Sequence, residues 1–98
     1  MNNNLNKIAT YIGFAIKAGK VIWGVDNIIA KRERSLIILK DSSLAEGSSK
    51  KLANYALTKG IDIIEYQDLS LLTGRSAKAI GVTEPNLAAA INKIVKGE

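Results

Sequence analysis

The apolar residues at the start of the chain recur at the spacing of a helix. Between residues 5 and 18 the large aliphatic side chains stand three or four positions apart, which predicts an amphipathic helix over 5–18. Gly19 is placed to end this helix in the left-handed conformation. The short apolar group at 21–23 then predicts a strand. A helix followed by a strand is therefore the expected start of the fold.

A turn at 24–27 leads into a predicted second helix. Asp26 is expected to cap the N-terminus of that helix with its carboxylate. The basic segment 31–34 is interpreted as its charged C-terminal end, where cations interact favourably with the helix dipole. The next run, 36–39, is apolar at every position, which is typical of a strand buried on both faces. Helices are therefore expected on both sides of the sheet, and 41–43 is expected to be a loop.

The second half of the chain repeats this alternation. A third helix is predicted over 47–59, with Leu57 among its inward residues and Gly60 as its stop. A third strand is predicted over 61–64. A short helix over 68–72, closed by a glycine, is predicted to follow it.

A last strand is predicted over 77–82, and a final helix follows it. Thr83 is expected to cap that helix, and Pro85 fits its first turn. Alternation of helices with buried strands predicts the α/β class, as a three-layer α/β/α sandwich with a four-stranded mixed sheet. The chain of 98 residues is expected to form a single domain over 1–98, because two domains would need more residues.

Two residue types are missing from the composition, and their absence limits the chemistry. The chain contains neither cysteine nor histidine. These residues supply the commonest general base, the usual zinc ligands and the thiolate nucleophile. The nine carboxylates are scattered, with no pair at a spacing that demands acid–base catalysis. We therefore expect no catalytic site, no metal and no cofactor.

The charge balance points to a polyanionic partner. Fourteen Lys and Arg residues against nine Asp and Glu give a net charge of +5 and a pI near 9.6. The N-terminus lacks the long apolar core of a signal peptide, and no stretch approaches the roughly 20 apolar residues of a membrane span. We expect a cytoplasmic, monomeric protein with no membrane partner.

Basic residues cluster at three places along the chain. Two flank the first turn, three follow the predicted second helix and two precede the last strand. If the loop before that strand lies near the second helix, all seven would form one positive surface suited to phosphate. The alternative is a solvated surface with no partner. The seven residues are Lys17, Lys20, Lys31, Arg32, Arg34, Arg75 and Lys78.

Two further functions stay open at this stage. The segment 47–51 resembles a fragment of a phosphate-binding loop, although the full Gly-x4-Gly-Lys-Ser/Thr spacing is missing. A nucleotide-binding protein or small enzyme is therefore one alternative. The other is a protein-interaction module that keeps the fold without binding a polyanion, which predicts an exposed apolar patch where the positive surface is expected.

Several short motifs follow one another in an informative order. They are Lys-Ala-Gly-Lys-Val at 17–21, Gly-Val-Asp-Asn at 24–27, Leu-Ile-Ile-Leu at 36–39, Asp-Ser-Ser at 41–43, Lys-Lys-Leu at 50–52, Leu-Leu-Thr-Gly-Arg at 71–75 and Ile-Gly-Val-Thr-Glu at 80–84. Together, over nearly the full length, they resemble the L7Ae-type kink-turn-binding ribosomal-protein family, and most of all its bacterial YlxQ-like branch. The resemblance implies a three-layer α/β/α sandwich and structured RNA, ribosomal or other, as partner, with association with the ribosome.

The resemblance also implies which residues bind the RNA. In the family, the N-terminus of the second helix enters the major groove beside tandem sheared G·A pairs. Gly24 matches the family glycine, and Asp26 and Asn27 fall on the two polar positions. Ala30 occupies the position of a lysine that meets phosphate, and Lys31 lies one residue, or about 100°, further round the helix.

The loop before the last strand is the second implied contact. In the family this loop packs apolar residues on extruded nucleotides. Here it keeps Gly74 and Arg75 but continues with small and basic residues at 76–78. We therefore expect affinity dominated by the phosphate backbone, which falls steeply with salt, and modest direct readout of bases.

Overall fold

Helices and strands alternate along the whole described chain. The structure is a computed structural model, and it describes residues 3–97. Within those residues there are five helices and four strands. In chain order they are α1 (Asn3–Lys17), β1 (Val21–Trp23), α2 (Val25–Ala30), β2 (Ile37–Asp41), α3 (Glu46–Lys59), β3 (Asp62–Tyr66), α4 (Leu69–Thr73), β4 (Ala79–Val82) and α5 (Pro85–Val95).

The four strands form one mixed sheet in the order β1-β4-β2-β3. Strand β4 runs antiparallel to both of its neighbours, whereas β2 and β3 are parallel. Antiparallel pairing brings the end of β1, at Trp23, beside Ile80 near the start of β4. This topology confirms the predicted fold class and sets which loops meet at each end of the sheet.

Two apolar cores lie on opposite faces of the sheet. In β2, Ile37 and Leu39 enter the core formed with α1, α4 and α5, whereas Ile38 between them enters the core formed with α2 and α3. Successive side chains of a strand point to opposite faces, and here both faces are covered. The unbroken apolar run is therefore explained by burial on both sides, as predicted.

The central strand β4 tolerates little side-chain volume at Gly81. A methyl group at this position would lie 2.7 Å from the Cβ of Ser35, which is fully buried. The backbone of Gly81 pairs with Ile22 on one side and with Ile38 on the other. The glycine is thus required by close packing between the sheet and the segment that leads into β2.

The second helix is shorter than predicted and starts differently. Its N-cap is Gly24, with φ of 89°, so Asp26 lies in the first turn and does not cap the helix. A backbone with this φ favours glycine. The helix ends at Ala30, and Lys31 is extended. The segment 31–34 is therefore a loop and not the last helical turn, because the chain must leave the helix to enter β2.

Three other expectations need correction. Asp41 ends β2 and is buried, so it is not part of a loop. Leu57 is 83% exposed, because only Leu52 and Ala56 of α3 are buried against the sheet. The cap of α5 is Glu84, whose carboxylate accepts a hydrogen bond from the N–H of Leu87 at 2.6 Å, and not Thr83. The predicted stops of α3 and α4 are confirmed, since both end at glycines with positive φ.

Candidate nucleic-acid interface

The N-terminus of α2 and the loop before β4 meet at one end of the sheet. The backbone N–H of Gly24 donates to the carbonyl of Ala79 at 2.8 Å. Because Trp23 pairs with Ile80, the residues that follow β1 lie beside those that precede β4. The two segments expected to contact RNA, at 24–27 and 74–78, are therefore neighbours.

Asn27 is exposed in the first turn of α2, and one of its amide protons is already used. Its Nδ2 donates to the backbone carbonyl of Trp23 at 2.8 Å. This bond links the helix back to the end of β1 and holds the amide in place. The side-chain carbonyl has no partner among residues 3–97. An oriented amide can both accept and donate, as recognition of a base edge requires.

Asp26 is paired with a lysine from the neighbouring helix. The Nζ of Lys51, on α3, donates to Oδ1 of Asp26 at 2.8 Å. Both side chains are mostly exposed, so the pair contributes at most about 1 kcal/mol to stability. The pair leaves Oδ2 of Asp26 open and brings a cation to the start of α2. Sequence reasoning missed Lys51, because 25 residues separate the partners and no spacing rule joins them.

Arg75 stacks over the ring of Trp23. The guanidinium carbon lies 4.2 Å from the ring centroid, which is a cation–π contact. Trp23 is partly buried against the core beneath α1, α4 and α5, whereas Arg75 is exposed. The arginine covers one ring face of the tryptophan. The stack therefore presents a guanidinium group to the outside.

Lys78 is held by the turn that follows β2. Its Nζ donates to the hydroxyl of Ser43 at 2.8 Å and lies 3.9 Å from Oδ2 of Asp41. Asp41 in turn accepts hydrogen bonds from the hydroxyl and the N–H of Ser43, and from the N–H of Leu69. Sequence reasoning did not identify Asp41 as a site residue. The only sequence signal was a carboxylate directly after a buried strand.

The charged form of Asp41 is strongly favoured. The hydroxyl and the N–H of Ser43, followed by the N–H of Leu69, stabilise the carboxylate and lower its pKa to about 2, although burial opposes this. The positive charge of Lys78 acts in the same direction as the hydrogen bonds. The carboxylate therefore stays ionised at neutral pH and keeps the Lys78 ammonium beside the turn.

The other predicted basic residues lie at the opposite end of β4. The carbonyl of Lys20 accepts from the N–H of Thr83, and the N–H of Leu36 donates to the carbonyl of Val82. Lys17 ends α1 close to Lys20 in the chain, and Lys31, Arg32 and Arg34 lie in the loop before Leu36. Strand β4 separates the ends by roughly 13 Å, at about 3.3 Å per residue. The seven residues thus form two groups and not one surface, because the strand stands between them.

The segment 47–51 is helical. It forms part of the first two turns of α3, where Lys50 pairs with Glu46 at 3.5 Å and Lys51 pairs with Asp26. A phosphate-binding loop presents several backbone N–H groups to its ligand. Here the N–H of Ser49 is used by the carbonyl of Ala45. The resemblance to a phosphate loop is therefore not matched by the local structure.

The described part of the chain offers neither a cluster of metal ligands nor a membrane-spanning helix. Across the described residues, 3–97, no three acidic side chains come close enough together to form a metal site. No helix in that part of the chain has both the length and the apolar character needed to cross a bilayer.

The fold is shared with known proteins. No protein-family model matches the chain. The chain is 23% identical over 99 aligned residues to the RNA-binding protein YlxQ of Enterococcus faecium, with 96% of each covered. A protein with unknown function from Bacillus halodurans C superposes with a TM-score of 0.81 at 15% identity, covering 91% of this chain and 96% of that one. The Giardia lamblia 15.5kD RNA binding protein superposes with a TM-score of 0.76 at 11% identity, covering 99% of this chain and 91% of that one. The likeness confirms the expected α/β fold with its four-stranded mixed sheet.

Proposed function

We propose that this protein binds structured, kink-turn-like RNA through the N-terminus of α2 and the loop before β4. The observation that carries the proposal is that these two segments form one surface. They are joined by the hydrogen bond from Gly24 to Ala79 and by the stack of Arg75 on Trp23. The names of two similar proteins, YlxQ of Enterococcus faecium and the 15.5kD protein of Giardia lamblia, describe them as RNA-binding, which supports RNA as the ligand class.

The polar residues of α2 would read base edges. Gly24 has no side chain, so the backbone can approach the groove closely. The free oxygen of Asp26 accepts hydrogen bonds from guanine N–H donors, and the amide of Asn27 both accepts and donates. These contacts would supply the discrimination between a kink-turn and a regular duplex.

The cations around this helix would bind phosphate. Arg75 stacks on Trp23 at the end of β1, Lys78 contacts Ser43, and Lys51 pairs with Asp26 on the helix itself. Lys51 supplies a positive charge near a helix that carries Ala30 where the family has lysine. Lys17, Lys20, Lys31, Arg32 and Arg34 lie further from this helix terminus, and at this first contact they would contribute through the overall field of the protein, whose net charge is +5.

The role that we propose for the protein in the cell follows from the same RNA-binding surface. We propose a non-catalytic, monomeric RNA-binding protein of the cytoplasm that associates with the ribosome or with another structured RNA. It would need no cofactor, since its recognition chemistry consists of hydrogen bonds and charge.

The alternative of a protein-interaction module has little support at this surface. It requires an exposed apolar patch there. Within residues 7–97 none of the exposed large apolar side chains belongs to 24–27 or 74–78. Leu71, on α4, is the one nearest in sequence to the loop before β4. The exposed large apolar side chains in this range are Phe14, Leu36, Leu57, Leu71 and Val95.

Fluorescence anisotropy with three RNAs tests the proposal. The ligands are a generic kink-turn, a straight duplex of the same composition and ribosomal RNA, each titrated between about 50 and 200 mM salt. We expect the kink-turn to bind more tightly than the duplex, with an affinity that falls steeply as salt rises. Absence of binding to all three RNAs at the lowest salt would contradict the proposal.

A further inference from the structure

A basic depression lies between the end of α3 and the loop that follows α2. Its volume is about 280 Å³, and four of its six lining residues are cationic while none is acidic. This volume is just below the roughly 300–1,000 Å³ of pockets for drug-sized ligands, so it suits one small group. The lining residues are Ile29, Lys31, Arg32, Arg34, Tyr55 and Lys59.

One of the four cations has a structural role. The guanidinium of Arg34 donates to the backbone carbonyl of Lys59, the last residue of α3. A cation at a helix C-terminus stabilises the carbonyl end of the helix dipole. This bond also ties the loop at 31–34 to α3 and so shapes the depression. This hydrogen bond gives Arg34 a structural role, but it gives none to the side chains of the other three cations, Lys31, Arg32 and Lys59.

No acidic side chain among residues 3–97 pairs with Lys31, Arg32 or Lys59. Four ion pairs form among the described residues, and none of them includes a side chain that lines the depression. Side-chain hydrogen bonds from these three residues are likewise absent in that part of the chain. Three unpaired cations around one concave surface repel one another, and a bound anion would relieve that repulsion.

The remaining lining is apolar. Tyr55 packs against the core between the sheet and α2 and α3, and Ile29 is half-buried. The depression thus combines a ring and an aliphatic side chain with cations at its rim. A nucleotide has the matching chemistry, with a flat base for the ring and a phosphate for the cations.

We propose that this depression, here called the α3 pocket, is a second RNA contact that holds one nucleotide of a single-stranded segment. Its phosphate would lie among Lys31, Arg32 and Lys59, and its base would pack against Tyr55. This inference rests on the proposed function, because the same RNA would occupy the N-terminus of α2. That helix has six residues and spans about 9 Å, so a strand leaving the first contact can reach the pocket.

The test compares the same kink-turn RNA with and without a single-stranded extension. Extensions of four uridines are added to either end in turn, and binding to the full-length protein is followed by anisotropy. The pocket variant is Lys31→Ala with Lys59→Ala. Its matched control is Lys7→Ala with Lys93→Ala, which removes the same charge from exposed positions on α1 and α5, in the layer on the other face of the sheet.

The parent and the control are expected to bind one of the extended RNAs more tightly than the plain kink-turn. The pocket variant should lose that gain, on the order of tenfold. Its salt slope for the extended RNA should also fall by up to about 0.7, the value for one neutralised phosphate on a single strand.

Two results would overturn the second contact. One is equal binding of the extended RNAs by the pocket variant and the control. The other is an extension that adds no affinity to the parent while uridine 5′-monophosphate alone shifts the NMR signals of Tyr55, which would make the pocket a free-nucleotide site. Failure of the proposed function looks different, because the parent would then bind the kink-turn no better than the straight duplex.

Discussion

The carboxylate of Asp41, at the end of β2, accepts a hydrogen bond from the backbone N–H of Leu69 at 2.6 Å. Leu69 begins α4, and its own N-cap residue, Asp68, makes no side-chain bond to the helix. Asp41 therefore supplies from a distance the acceptor that a local cap normally supplies. The same carboxylate lies 3.9 Å from the ammonium of Lys78, so one buried group joins the sheet, α4 and the proposed RNA loop.

Stability at acid pH should depend on Asp41. Its pKa is lowered to about 2 in the folded protein, whereas the carboxyl in an unfolded chain titrates at about 3.9. The stabilisation is therefore complete above about pH 4 and is lost as the pH falls through about 2. Asp41→Asn should lower the melting temperature at pH 7, and the difference from the parent should shrink between pH 4 and pH 2.

Thermal unfolding followed by circular dichroism at several pH values checks this prediction. Asp62→Asn is the control, since Asp62 is exposed and its carboxylate lies 4.0 Å from the ammonium of Lys96. A melting-temperature difference between Asp41→Asn and the parent that stays constant from pH 7 to pH 2 would contradict it.

Gly81→Ala should destabilise the protein. The added methyl group would lie 2.7 Å from the Cβ of Ser35, and overpacking of this kind costs about 1–3 kcal/mol of unfolding free energy. Urea denaturation measures the loss. Replacing Ser35 by glycine in the same variant removes the clash and should recover part of it.

Gly47→Ala provides the contrast. A methyl group at this position of α3 meets nothing within 4 Å, so the change should stabilise the helix by about 0.5–1 kcal/mol. If Gly81→Ala and Gly47→Ala had the same effect on stability, the close approach at Ser35 would not be the cause.

Asn27→Ala and Arg75→Ala should affect RNA binding in different ways. Loss of the Asn27 amide should reduce the preference for a kink-turn over a straight duplex while leaving the salt slope unchanged. Loss of Arg75 should weaken binding to both RNAs and reduce the salt slope by about 1. Lys93→Ala, on α5, is the control for removal of one charge. Identical salt slopes for all three variants would argue against a phosphate contact at Arg75.

Lys51→Ala should weaken RNA binding, whereas Lys50→Ala should not. Both lysines are exposed neighbours on α3, but Lys51 contacts Asp26 at the start of α2 and Lys50 contacts Glu46 within its own helix. Anisotropy titrations of the two variants at low salt compare them directly. Equal affinities would mean that Lys51 only balances the charge of Asp26.

Local sequence was sufficient to predict most elements of this fold. The unbroken apolar run of β2 predicted a strand with both faces covered, and Ile37, Ile38 and Leu39 are buried between two cores. Helix stops at Gly60 and Gly74 were predicted for a local reason as well, because the left-handed conformation favours glycine. In both cases the signal lies within a few neighbouring residues.

The arrangement of the interface depends instead on contacts between residues that are distant in the chain. Arg75 covers Trp23, Lys51 pairs with Asp26 and Asp41 caps α4 only because the strand order brings these segments together. The direction of β4 likewise divides the basic residues between two ends of the sheet. Apolar spacing predicts which residues are buried, but the pairing of strands carries no comparable local signal. The chain thus indicated most of the candidate polar and basic residues, though not Lys51 or Asp41, whereas their grouping required the folded structure.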